Sequence, residues 1–261
     1  MFPALNILGV TVQTYPFVLV LASAAGLWLS ERTARRLGLD ADAVNSLGFY
    51  ALLATVLGAR LAYVVTHWSA YRDAMLSIFS LTPTALSWPG GVPIGCLVAS
   101  VYWRRQQLPV GATLDALAPG LAVALAVERL GAFLSGNSLG RPTTLPWGVY
   151  LWDQVRHPVQ LYEMVALLLI LGVLLWHRAR RPFAGHSFVL FVALYAGARL
   201  FLEAFRAQTP LFAGGVRAIQ VGALVTMMGA VWYLYHRRFA LTRNEAGAMS
   251  ETERLDHSRD A

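Results

Sequence analysis

The chain has 261 residues, of which 57% are hydrophobic and 13% charged, and its mean hydropathy is +0.53. Soluble domains carry about 25% charged residues, so this composition cannot supply the polar surface that soluble domains need. The same composition excludes a disordered chain, and the single cysteine excludes a disulfide-stabilised secreted scaffold. These properties predict an integral membrane protein.

The basic residues are placed as in a membrane protein, so no nucleic-acid partner is expected. The net charge is +7, and all 21 basic residues are arginine. They cluster between apolar runs, which is the positive-inside pattern of membrane proteins. The clusters are Arg32, Arg35 and Arg36; Arg104 and Arg105; Arg178, Arg180 and Arg181; and Arg237 and Arg238.

Seven apolar windows are long enough to cross a bilayer as helices. They cover residues 14–30, 46–66, 86–103, 112–134, 159–176, 187–206 and 217–235. Because arginine clusters follow the first, third, fifth and seventh windows, those ends are expected in the cytoplasm. We therefore expect an all-α membrane protein with about seven transmembrane helices, an exoplasmic N-terminus and a cytoplasmic C-terminus. Residues 1–240 would form the membrane domain, and the polar tail 241–261 would be disordered.

Two exoplasmic loops are long on this topology. Residues 67–85 are expected to include an amphipathic helix in the membrane interface. Residues 136–158 are rich in Gly, Pro and Asn, which predicts an irregular loop. Such a loop is a good place for a functional site, although a simple connector is the alternative.

Three Arg-Leu pairs lie inside the apolar windows, and their arginines are Arg60, Arg129 and Arg199. An arginine within a membrane helix costs roughly 2.5–3.5 kcal/mol on insertion scales, so three of them indicate a function. A guanidinium offers a fork of donors that suits phosphate, which predicts a cationic pocket for an anionic headgroup. Structural ion pairs are the alternative, above all between Arg199 and Glu203 four residues later. The neighbours Glu128 and Arg129 diverge by about 100° on a helix, so a pair between them is less natural.

The fifth window opens with several polar groups, and the sequence there reads His157-Pro158-Val159-Gln160-Leu161-Tyr162-Glu163. His157 has two possible roles, in proton transfer or as a cap at the start of the helix. Tyr195 precedes Arg199 by four residues, which places a phenol beside that guanidinium. The six histidines are scattered, so no metal site and no cofactor are expected.

The stretch from Glu128 to Thr143 resembles the central signature of the prolipoprotein diacylglyceryl transferases, usually G-R-x-G-N-F-x-N-x-E-x-x-G-R-P-T. The segments 145–149 and 157–163 also match that family. Further matches are Tyr15, Gly58 to Leu61, Asp115 with Ala118 to Gly120, and Tyr195 through Arg199, Glu203 and Arg206. In order, the matches span about residues 12–235.

The resemblance implies that the chain takes phosphatidylglycerol from the membrane and transfers its diacylglyceryl group to the lipobox cysteine of a preprolipoprotein. A thioether forms and glycerol phosphate leaves. The implied setting is the bacterial inner membrane, and a monomer is expected. The implied catalytic residues are Arg129, Arg199, His157 and Tyr195. The implied substrate-binding residues are Arg60, Tyr15, Asn137, Gly140, Arg141, Gln160, Tyr162, Glu203 and Arg206. Since the nucleophile belongs to the acceptor, Cys96 has no catalytic task and is expected to be a small buried hydrophobe.

The sequence departs from the family pattern at several positions. The family usually has S-F-H-G-G where this chain has Ser87-Trp88-Pro89-Gly90-Gly91, so proline replaces a histidine often assigned as the base. Ala132, Ser135 and Asn137 replace two asparagines and a glutamate of the signature. Either the arginines alone favour the thiolate, or His157 substitutes as the base.

Other functions remain open at this point. The chain is either an active transferase, a relative with another acceptor, or a non-catalytic phospholipid-binding protein. A secondary transporter ranks lowest, because the repeated Gly-Ala-Arg-Leu joins two helices of the same orientation, whereas transporters commonly contain inverted repeats.

Overall fold

The computed structural model describes residues 4–7, 10–72, 75–79, 86–137, 140–151, 153–179, 181–207 and 217–259. The long helices are α1 (Thr14–Arg36), α2 (Ala41–Thr66), α4 (Trp88–Arg105), α5 (Val110–Leu134), α6 (Val159–His177), α7 (His186–Leu202) and α8 (Ala218–Arg259). A single turn, α3, spans Trp68–Tyr71, and 3₁₀ turns lie at Met75–Phe79 and Glu203–Phe205. Two antiparallel hairpins join β1 (Ala4–Ile7) to β2 (Val10–Gln13) and β3 (Val149–Leu151) to β4 (Gln154–Arg156).

Each predicted membrane window coincides with one long helix. Six of them, α1, α2, α5, α6, α7 and α8, are long and apolar enough to cross a membrane. The 18-residue α4 is less apolar, since it contains Pro89, Pro93, Arg104 and Arg105. The chain is therefore a multi-pass, mainly helical membrane protein, as predicted. The count of seven spans and the sides of the termini stay predictions.

The two long loops that are predicted to be exoplasmic contain more regular structure than the sequence predicted. In 136–158, the β3–β4 hairpin replaces part of the expected irregular loop, because Val149 and Val155 favour strands and Asp153 adopts the left-handed conformation at φ 60°. The N-terminal hairpin was not predicted. In 67–85 the helical segments are short, and residues 73–74 and 80–85 lie outside the described residues.

The last helix continues further than the apolar pattern. α8 extends over 42 residues to Arg259, through the polar segment that the sequence predicts to be a disordered tail. Ala, Glu and Arg each occur three times in residues 241–261 and have high intrinsic helix propensity, which favours a continued helix. The domain boundary at residue 240 and the state of the tail stay predictions.

Helix α5 lies at the centre of the bundle, where it packs against α1, α6 and α7. Its contact with α1 depends on small residues. A Cβ at Gly120 would collide with the Ser30 side chain and the Gly26 carbonyl, so the two backbones approach closely there. This packing fixes the position of the C-terminal end of α5, which carries Glu128 and Arg129.

An apolar core joins α5 to α6 and α7. It includes Ala122, Leu167 and Phe191, all of them buried. Because α5, α6 and α7 run antiparallel in succession, the C-terminal ends of α5 and α7 meet the N-terminal end of α6. Cys96, in contrast, is exposed on α4, so the prediction of a buried cysteine was wrong. A short apolar side chain on a membrane helix does not require burial within the protein, because lipid is itself apolar.

Candidate active site

The carboxylate of Glu163, in the second turn of α6, binds three arginines. Its Oε1 atom accepts a hydrogen bond from Arg199 Nη1 at 2.7 Å, and its Oε2 atom accepts one from Arg129 Nη1 at 3.0 Å. Arg206 Nη2 donates to both oxygens, at 2.8 and 3.0 Å. The Glu163 residue is 3% exposed. One buried carboxylate therefore holds three guanidiniums in fixed positions.

Glu128 extends this network towards α1. Its Oε2 atom accepts from Arg129 Nε at 2.6 Å, and its Oε1 atom accepts from the Tyr15 hydroxyl at 2.8 Å. Glu128 and Arg129 thus form an ion pair, although the divergence of adjacent helical residues makes such a pair less natural. The Nε atom of Arg129 reaches the Glu128 carboxylate, while the Nη1 atom of the same guanidinium reaches Glu163.

Glu203 closes the other side of the network. It is 1% exposed, and its Oε2 atom accepts from Arg199 Nη2 at 2.8 Å, which confirms the predicted pair at four-residue spacing. Arg217 donates to the Glu203 backbone carbonyl. We call Glu128, Arg129, Glu163, Arg199, Glu203 and Arg206 the glutamate–arginine cluster. With Arg217 beside it, four arginines face three glutamates, which leaves one positive charge.

The loop after α5 packs against the cluster through its backbone. The Arg141 N–H donates to the Phe205 carbonyl at 2.8 Å, and the Arg141 carbonyl accepts from the His157 N–H at 3.0 Å. Gly140 forms a backbone bridge with Arg206, and a Cβ at Gly140 would collide with the His157 carbonyl. Through its backbone, this loop thus connects the start of α6 to the segment that follows α7.

Gln160 and Asn137 join the same loop to α6. The Gln160 Nε2 atom donates to the Asn137 carbonyl, and Gln160 itself is buried. Asn137, at the position of the family's glutamate, is exposed. Arg141 is exposed as well. The Gln160 side chain therefore ties this loop to the start of α6.

His157 contacts aromatic residues. Its Nδ1 atom lies 3.3 Å from the Tyr162 hydroxyl, and its ring centroid lies 5.0 Å from that of Phe205. Trp147 Nε1 donates to the same Tyr162 hydroxyl at 2.9 Å. No side chain among the described residues caps α6, so the interpretation of His157 as a helix cap was wrong. Pro158 holds the cap position instead, and the His157 ring faces the loops.

Tyr195 lies beside the cluster on α7. Its ring stacks in parallel on Phe191 with the centroids 5.8 Å apart. Tyr195 lies close to Glu163 and Arg199, as its spacing from Arg199 predicted.

Arg60 has different partners from the other two predicted membrane arginines. It is 6% exposed, its Nε atom donates to the Ile78 carbonyl at 2.9 Å, and its Nη2 atom donates to the Ser77 carbonyl at 2.6 Å. Its guanidinium also lies 5.2 Å from the centre of the Tyr71 ring. Arg129 and Arg199 thus share the Glu163 carboxylate, whereas the described hydrogen bonds of Arg60 go to backbone carbonyls of the loop that follows α2.

The start of α4, where the family usually has a histidine, packs on α2. Pro89 lies in the first turn of α4. The Ser87 N–H, just before this turn, donates to the Ala59 carbonyl at 2.9 Å, so the start of α4 lies close to the part of α2 that carries Arg60. Proline has no side-chain proton acceptor, so this position provides no base.

An apolar cavity of about 400 Å³ lies between α1, α2, α4 and α5. Its walls are mostly Leu, Ala and Gly, and Glu128 of the cluster lies among its lining residues. An acyl chain is apolar along its length and carries its polar headgroup at one end. The cavity and the cluster together match that distribution of polarity.

Glu128 and Glu163 are residues of the cluster that were not predicted from the sequence motifs. Glu163 is the only charged residue in the window 159–176, and an isolated carboxylate in a membrane span indicates a functional group. That signal was present in the sequence. Arg217 was also missed, and no spacing in the sequence connects it to Glu203.

Comparison with known proteins identifies the family. Residues 3–236 match the family model described as prolipoprotein diacylglyceryl transferase. The chain belongs to this family. The resemblance inferred from the motifs is therefore confirmed.

Proteins named phosphatidylglycerol–prolipoprotein diacylglyceryl transferase are similar along most of their length. The one from Symbiobacterium thermophilum is 31% identical over 259 residues, covering 94% of this chain and 96% of the relative. The one from Clostridioides difficile is 29% identical, and the match covers 87% of this chain and 92% of the relative. The one from Synechococcus elongatus is 28% identical, with 85% and 83% covered.

Proposed function

We propose that this chain transfers the diacylglyceryl group of phosphatidylglycerol to the lipobox cysteine of prolipoproteins, in the bacterial inner membrane. The observation that carries the proposal is the clamp of Arg129, Arg199 and Arg206 on the buried Glu163 carboxylate. The names of the relatives support the donor and the acceptor. The transferase is proposed to act as a monomer.

The donor is proposed to bind with its headgroup at the cluster and its acyl chains in the apolar cavity. The cluster with Arg217 has one surplus positive charge, which matches the single negative charge of a phosphodiester. The guanidiniums are already oriented by carboxylates, so little reorganisation is needed when phosphate binds. We assign the contacts with the headgroup and glycerol to Tyr15, Asn137, Gly140, Arg141, Gln160, Tyr162, Glu203 and Arg206.

In the proposed reaction the acceptor's thiolate attacks the carbon of the diacylglyceryl group that is bonded to a phosphate oxygen. A carbon–sulfur bond forms, the carbon–oxygen bond breaks, and glycerol phosphate leaves with the bonding electron pair. The proton lost by the thiol balances the charge that the leaving group gains. Arg129 and Arg199 stabilise this developing charge, and Tyr195 is proposed to orient Arg199 at the reacting phosphate.

The proton of the acceptor's thiol needs a different acceptor in this chain, since Pro89 stands where the family usually has histidine. A free thiol has a pKa of about 8.5, and neighbouring cations lower such a value. We propose that the arginines provide this field. His157 is the alternative proton acceptor, and Arg60 is proposed to position the loop at 75–79 beside the acceptor peptide.

The departures at Pro89, Ala132 and Asn137 favour one second candidate, a non-catalytic phospholipid-binding relative. Expression of the chain in a bacterium depleted of its own transferase separates the two functions. Restored growth and lipid-modified lipoproteins would support the transferase. Membrane insertion without either result would support the non-catalytic candidate.

A further inference from the structure

A second group of arginines lines a cavity at the other end of the bundle. Arg36 ends α1, and Arg178 and Arg181 lie between α6 and α7. All three line one cavity of about 230 Å³, which we call the basic cavity. Since Tyr15 and Glu163 lie at the opposite ends of α1 and α6, this cavity is remote from the glutamate–arginine cluster.

The basic cavity carries surplus positive charge. Among the described residues that line it, Asp115 is the one acid. Its Oδ2 atom accepts from the Gly185 N–H at 2.9 Å and its Oδ1 atom from the Phe188 N–H at 3.0 Å, so both oxygens already bind the start of α7. Arg181 lies 3.8 Å from the same carboxylate. One aspartate therefore faces three arginines.

Two of these guanidiniums are available to a ligand. Within the described part of the chain, neither Arg36 nor Arg178 forms a salt bridge or donates a side-chain hydrogen bond to the protein. Both are exposed, whereas Arg181 is partly buried and donates its Nε to the Arg178 carbonyl at 2.9 Å. Arg181 is thus held rigidly next to two free donors.

The remaining walls of the basic cavity are of two kinds. Leu37, Pro119, Leu174 and Leu175 form an apolar side, and Leu175 is 36% exposed. Thr33 and Ser187 add hydroxyl groups. An anionic group joined to an apolar chain would match both kinds of wall.

We propose that the basic cavity binds a phosphate group through Arg36, Arg178 and Arg181. The apolar wall favours the headgroup of an acidic phospholipid over a soluble phosphate ester such as glycerol phosphate. The planar forks of the guanidiniums match phosphate oxygens in pairs. This proposal does not rest on the proposed transferase activity, because its residues lie outside the cluster.

The positive-inside bias alone also places arginines at these helix ends. That bias depends on charge and not on the shape of the basic group. Replacing arginine by lysine therefore keeps the bias and removes the fork. The pair Arg104 and Arg105, an exposed cluster that does not line the cavity, provides a matched control.

The test places a fluorescent reporter in the cavity of the full chain. Cys96→Ser with Leu175→Cys, labelled with bimane in detergent, is titrated separately with dihexanoyl phosphatidic acid, dihexanoyl phosphatidylcholine and glycerol 3-phosphate. We expect a saturable emission shift with phosphatidic acid, and none with phosphatidylcholine or glycerol phosphate. Arg178→Lys with Arg181→Lys should weaken this binding roughly tenfold, since ammonium lacks the bidentate fork.

Three controls make the result specific. Arg104→Lys with Arg105→Lys should leave the affinity unchanged, and Arg199→Ala should also leave it unchanged because the reporter is remote from the cluster. Arg36→Lys, a single change at an exposed position, replaces the double variant if that one fails to fold. Equal binding of glycerol phosphate would support the phosphate site and overturn the lipid assignment. Equal shifts with phosphatidylcholine, or unchanged affinity in the folded lysine variants, would overturn the site.

Discussion

Arg199 and Glu163, which are 36 residues apart, form a 2.7 Å hydrogen-bonded ion pair where α7 ends and α6 begins. The pair is largely buried, with side-chain exposures of 19% and 4%. The same carboxylate also binds Arg129 and Arg206. Glu163 therefore holds three like-charged guanidiniums close together.

Glu163→Gln should destabilise the protein and abolish activity. Without the carboxylate, the three guanidiniums repel one another, and breaking a buried ion pair costs about 3–5 kcal/mol. Thermal unfolding in detergent measures the effect. Glu31→Gln is the matched control, because it breaks the Glu31–Arg35 pair at the surface and should cost about 0–1 kcal/mol. Equal losses in the two variants would contradict the assigned role of Glu163.

Arg199→Ala should reduce the rate of transfer by about 10²-fold or more, the usual effect of removing one oriented donor from a developing anion. Arg199→Lys should also be poor, since an ammonium cannot bind both Glu163 and Glu203 with a planar fork. Initial rates with purified protein provide the measurement. Arg104→Ala should retain the parent rate. A fully active Arg199→Ala variant would remove this arginine from the proposed mechanism.

His157→Gln should lower the rate without changing the shape of its pH profile. The ring contacts Tyr162 and Phe205, so its loss disturbs the loops rather than a proton transfer. Activity of parent and variant should rise together as the pH approaches the pKa of the acceptor thiol, about 8.5. A variant that is impaired at pH 7 and recovers at pH 9 would instead identify His157 as the base.

Gly140→Ala should destabilise the loop over the cluster. Its Cβ would collide with the His157 carbonyl, and overpacking of this kind costs about 1–3 kcal/mol. Gly172→Ala, within α6 and with no atom within 4 Å of its added Cβ, should stabilise the protein slightly, by about 0.4–1 kcal/mol. Unfolding temperatures of the two variants test this contrast. Equal temperatures would show that the close approach at Gly140 is not needed.

The sequence contained enough information to predict the helices and two of the central arginines. Membrane windows depend on local apolar content, and Arg129 and Arg199 are conspicuous because charge is costly there. The convergence on Glu163 could not be predicted from spacing, since it depends on how α5, α6 and α7 pack. Arg60 has the same local signal as Arg199, yet its described partners are carbonyls of a nearby loop. The local sequence indicated a buried cation at both Arg60 and Arg199, but it did not specify which groups each guanidinium binds.

The most direct test of the central claim is a transfer assay with the purified chain in phosphatidylglycerol nanodiscs. A synthetic peptide with a lipobox cysteine is added, and a serine peptide serves as the control. We predict a diacylglyceryl thioether on the cysteine peptide alone, by mass spectrometry, with one glycerol phosphate released per adduct. Binding of phosphatidylglycerol without any adduct at pH 7 or pH 9 would contradict the proposed transferase.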